Sequence, residues 1–143
     1  MVHEYNLALI IAAALDALAA ALHIGVVMGG PHWYRFFGAG ERFARAAEAG
    51  RMYPAAITIV IALVLFAWAI YALSGAALLG PLPFLRPVLV SISLVYLLRG
   101  IAGPFLLAGT GRSQRFIIIS SAICLVFAFA HLLGLAQMWD RLA

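Results

Sequence analysis

Residues 53–79 read YPAAITIVIALVLFAWAIYALSGAALL, an apolar run without a single Asp, Glu, Lys or Arg. Crossing a hydrocarbon core about 30 Å thick takes roughly 20 helical residues, so the run is long enough to span a bilayer. It shows no period-two alternation of the barrel kind, and Ala and Leu dominate it, so a helix is the economical way to satisfy its backbone in lipid. Three further runs, 6–28, 87–107 and 115–139, share its length and character. The expected fold class is an all-α integral membrane protein: a four-transmembrane-helix bundle with a short interfacial helix in the first loop, forming one domain over 1–143.

Composition agrees. The chain is 66% hydrophobic and 10% charged, whereas soluble domains run near 25% charged. Its nine cationic residues are all arginine and are spread thinly between apolar runs, so nucleic acid is not an expected partner. Cys124 stands alone, which excludes an intrachain disulfide and a cysteine-based metal site within one chain. The first six residues hold Glu4 and no Lys or Arg, and the apolar run that follows is longer than a signal h-region. It is therefore expected to be a retained span.

The second and third spans are joined by Gly80-Pro81-Leu82-Pro83, and the third and fourth by Gly109-Thr110-Gly111-Arg112-Ser113-Gln114. Both connections are short, which makes antiparallel neighbours. Only the first loop is long. It opens with Gly29-Gly30-Pro31, a helix stop, and continues through Trp33, Tyr34, Phe36 and Phe37. Over 40–50 the spacing predicts a helix, with Glu41 and Arg45 at i,i+4, Glu48 and Arg51 at i,i+3, and Phe43 on the other side.

Arg35, Arg42, Arg45 and Arg51 in the first loop share a side of the membrane with Arg112 and Arg115, against Arg86 and Arg141 on the other. The arginine-rich side is expected to be cytoplasmic, which puts both termini in the periplasm of a bacterial inner membrane. The bacterial assignment rests on the all-arginine usage, which looks like a GC-rich codon bias. Gly30-Pro31 with Gly38-Ala39-Gly40 also resembles Gly103-Pro104 with Gly109-Thr110-Gly111, a faint repeat that common helix-end residues explain.

Two ionisable residues fall deep within spans: Asp16 near the middle of the first and Arg99 a little past the middle of the third. Each costs about 2.5–3.5 kcal/mol on insertion scales, so such groups face the bundle and find partners. Arg99 is accordingly expected to pair with Asp16 or Glu41. His23 follows Asp16 by two helical turns on roughly the same face, and Tyr96 neighbours Arg99 at i,i+3. Glu41 can close the group from the loop-one side, at the positive end of its own helix.

The expected ligand-binding set is thus Asp16, His23, Glu41, Tyr96 and Arg99, with His23 and Glu41 as candidate catalytic acid and base. The competing reading is a structural ion pair plus a histidine near the headgroups. His131 invites a haem with His23, but their depths differ by roughly 15 Å at 1.5 Å per residue. It is better placed beside Asp16, as a hydrogen-bond partner or an ordinary core histidine. Ser74, Ser91, Ser93, Ser120 and Ser121 read as small polar packing residues. No metal and no cofactor is expected, because no nucleophile elbow, His-Glu-x-x-His pair or Cys-x-x-Cys motif occurs.

A carboxylate in the middle of the first of four short helices is similar to the small multidrug resistance transporters; the long first loop and the rest of the pattern depart from that family. Three functions follow as expectations. The first is binding or transport of a small or amphipathic ligand in a polar intramembrane pocket between the first and third spans. The second is an enzyme acting on a lipid-like substrate. The third is an accessory or structural subunit. Expected partners are membrane lipids and the amphipathic ligand, with a homo-oligomer left open.

Overall fold

A computed structural model describes residues 5–142. Its first helix, α1 (Leu7–Phe36), starts at Asn6, whose side chain accepts the Leu9 amide at 2.9 Å. The same side chain donates to Gln137 Oε1 at 2.7 Å, which ties the start of α1 to the end of the last helix. The expected stop at Gly29-Gly30-Pro31 becomes a sharp kink instead of an end. Gly30 takes φ 65° and ψ −150°, and helix resumes from Pro31 to Phe36. That backbone region belongs essentially to glycine. Gly29 is needed for a different reason, since a Cβ there would overlap the Trp33 ring.

The loop-one helix, α2 (Glu41–Glu48), lies within the expected 40–50. It packs against α1 and α3 through a small core of Val26, Tyr34 and Ala44, with Phe43 edge-on to Tyr53. The three remaining long helices are α3 (Tyr53–Gly75), α4 (Leu85–Leu106) and α5 (Gln114–Met138), the last extended by a 3-10 turn over Trp139–Arg141. α3 ends four residues before the expected 79. There Ser74 Oγ donates to Gly80 O and accepts from Leu82 N, which turns the chain into the α3–α4 hairpin. Ser113 caps α5 by accepting the Phe116 amide at 3.2 Å.

α1, α3, α4 and α5 are each long and apolar enough to cross a membrane, and the chain is a multi-pass membrane protein. α1 packs most against α3 and then α5, and α4 most against α5 and then α3. The four therefore follow one another around the bundle in chain order, with α1 and α4 on a diagonal. Small residues set the close approaches, as expected where lipid supplies no hydrophobic drive between helices. Ala12 and Ala13 of α1 meet Ala72 of α3 and Ala130 of α5. A Cβ at Gly134 would strike Leu9, and one at Gly100 would strike Leu125. Outward-facing Leu63, Phe66, Phe105, Ile118 and Phe129 are exposed, and hydrocarbon is the environment that suits them.

Candidate functional site at the bundle centre

Asp16 is completely buried in α1, and both of its carboxylate oxygens are hydrogen-bonded. Tyr96 of α4 donates its hydroxyl to Oδ1 at 2.6 Å. His131 of α5 places Nε2 3.1 Å from Oδ2. Each bond joins residues far apart in the chain, so the centre exists only once three helices have met. Tyr96 crosses the diagonal of the bundle to reach Asp16, and its ring is collared by Trp68 of α3 (centroids 5.2 Å), Phe127 (5.1 Å) and His131 (5.4 Å) of α5. One tyrosine thus touches all three other spanning helices.

The second nitrogen of His131 fixes the proton inventory. Nδ1 lies 2.9 Å from the Phe127 carbonyl. A carbonyl only accepts, so Nδ1 carries a hydrogen. The Asp16–His131 contact then holds one further proton, either on Nε2 facing a carboxylate or on the carboxyl facing a neutral ring. In either form the pair has no net charge, which is how a carboxylate is tolerated at this depth. Losing that proton would leave one uncompensated negative charge at the centre of the bundle.

Of the expected set, the structure brings together Asp16 and Tyr96 and adds His131. The other three have different partners. His23 Nδ1 contacts Ala19 O of its own helix at 2.7 Å. Arg99 pairs with no carboxylate among the described residues. Its guanidinium instead donates to Ser121 Oγ at 3.3 Å and Ser120 Oγ at 3.1 Å. Those serines lie toward the α4–α5 loop, so the long side chain climbs away from the centre to a more polar depth. Gly103 makes room for it, since a Cβ there would overlap both Arg99 Nη1 and Ser121 Oγ.

Glu41 is exposed and gripped by Arg35, whose Nε and Nη2 donate to its two oxygens at 3.0 and 2.9 Å. Arg35 also holds Glu48 at 2.6 Å, and Arg45 adds a bond to Glu41 at 3.2 Å. The bonds from Arg35 hold the Glu41 carboxyl down at about 2 and the Glu48 carboxyl below its ordinary range. Stability from this clamp is present above the usual carboxylate range and is lost only as pH falls toward 2. The expected closure of the site by Glu41 over His23 or Arg99 is not formed, and neither is the His23–Glu41 acid–base pair. α2 does pack under the bundle as expected, but its carboxylates turn outward.

The position expected for a polar pocket between the first and third spans holds Asp16 and Tyr96, both buried and bonded to each other. Open space lies beside it instead, in a cleft of about 390 Å³ lined by Trp68, Phe84, Val88, Ser91, Ile92 and Val95. This cleft lies along α4 against Trp68 of α3, whose ring also packs edge-on to Tyr96. Sequence reasoning had no means of finding the collar of Trp68 and Phe127, because an aromatic in an apolar span carries no mark of which neighbour it faces. His131 had one usable signal, a depth matching that of Asp16. Compared with protein-family models, curated proteins and solved structures, the chain has no match.

Proposed function

We propose that the protein binds or transports a small or amphipathic ligand within the membrane, admitted from the lipid through the α3–α4 cleft and sensed by the Asp16–Tyr96–His131 centre. The observation that carries this reading is a buried carboxylate, Asp16, bonded to Tyr96 and His131 one aromatic ring behind an open cleft. Ionisable groups in a membrane bundle core are by default candidates for ligand or proton paths. The cleft also falls within the size range of small-molecule sites. The membrane is proposed to be the bacterial inner membrane, with the loop-one side cytoplasmic and the termini periplasmic, on the strength of the arginine asymmetry.

One observation favours an accessory or structural role, namely that the centre is closed and fully hydrogen-bonded. The two readings separate in a thermal-shift screen of small amphipathic compounds on the protein in lipid nanodiscs. The ligand reading expects compounds that raise Tm for the wild type, with the increment lost in Asp16→Asn and in Trp68→Ala. A screen without hits, in which both variants are simply less stable, would leave the centre as a structural pin.

A further inference from the structure

Independently of that site, α2 and the turn into α3 border a second, open cleft of about 600 Å³. Arg42, Arg45 and Arg51 line it together with Glu41, Ala46, Ala49 and Tyr53. Arg42 and Arg51 have no ion-pair partner among the described residues. Arg45 spends only Nε on Glu41, and that carboxylate is already held by Arg35. Over this stretch four arginines, 35, 42, 45 and 51, face two glutamates, 41 and 48, which leaves a net charge of +2. Guanidinium forks match phosphate oxygens in geometry as well as charge.

The surroundings select the source of that phosphate. Tyr53 is the first residue of α3, where an aromatic marks the headgroup level of a bilayer. Ile57, Val60 and Val64 follow it along the same helical face and are all exposed. A phosphate held by Arg42 and Arg51 would therefore have an apolar track directly below it for acyl chains. We propose that this cleft binds the phosphate-bearing headgroup of an anionic membrane lipid.

The test measures retention of spin-labelled phosphatidylglycerol against spin-labelled phosphatidylcholine by the purified full-length protein in detergent. The wild type is expected to prefer phosphatidylglycerol severalfold, and Arg42→Gln with Arg51→Gln to bring the ratio near one. Arg112→Gln with Arg115→Gln, on the other loop of the same side, is expected to keep the preference. Ala49→Glu, which adds a carboxylate to the cleft without removing an arginine, is expected to abolish it and serves if the glutamine pair does not fold. Absence of preference in the wild type, or its survival in both cleft variants, overturns the proposal. Equal loss in the Arg112 and Arg115 pair also overturns it, reducing the effect to general surface charge. Inorganic phosphate at matched ionic strength is expected to compete no better than chloride; full displacement by phosphate would make this a free-anion site and not a lipid site.

Discussion

At the scale of single residues, the stability of the centre depends on both Asp16 oxygens having donors. Hydrogen bonds between membrane helices average only about 0.6 kcal/mol in mutational cycles, because the reference state also finds partners. Tyr96 is a stronger case, since its bond is short, its acceptor is a carboxylate and the acceptor is completely buried. Removing the hydroxyl leaves Oδ1 without a partner, a desolvation cost of about 1–3 kcal/mol. Tyr96→Phe is therefore expected to lower stability by that amount in reversible denaturant unfolding, although it keeps the ring and its collar. In Asp16→Leu the same substitution should cost far less, because no orphaned oxygen remains. Equal effects of Tyr96→Phe in both backgrounds would show that the hydroxyl is not acting through Asp16.

At the scale of elements, glycine decides how the first span meets the first loop. Gly30 holds φ 65° and ψ −150°, and no neighbouring atom lies near where its Cβ would be, so only the backbone conformation opposes a side chain. Gly30→Ala should therefore cost about 1–3 kcal/mol through strain alone, read as a fall in Tm. Gly80→Ala is the matched control, with open space and no positive φ, and is expected to stay within about 0.5 kcal/mol of wild type. The kink matters beyond its own turn. It directs Tyr34 inward to a 3.4 Å contact with Thr58 and turns Arg35 toward the two glutamates of α2. The resemblance between Gly30-Pro31 and Gly103-Pro104 does not extend to the backbone, because Gly30 leaves helical φ/ψ whereas α4 runs through Gly103 and Pro104 without such a break, and Gly103 serves the Arg99 side chain.

At the scale of the whole molecule, four spans place the two ends of the described chain on one side, and the arginine asymmetry proposes which side that is. Fusions of a reporter at Leu142 are expected to be active when it is an enzyme that works in the periplasm and silent when it is one that works in the cytoplasm; the reverse pattern would invert the proposed orientation. The sequence by itself determined the four helices, their short connections and the helix in loop one. In lipid each span must satisfy its backbone within itself, so length and apolarity are local properties that a linear reading can recover. Asp16 and Arg99 were legible as ionisable groups set deep in spans for the same reason, since depth follows from position along a span. The serine partners of Arg99 were not, and for Asp16 depth alone left both Arg99 and His131 open. Whether Asp16 meets Arg99 or His131 depends on how each helix is rotated and offset against the others, and that is set by the alanine and glycine contacts of the assembled bundle. Tyr96 and His131 lie 80 and 115 residues from Asp16 in the chain, and only packing brings them to one carboxylate while Arg99 is turned to two serines.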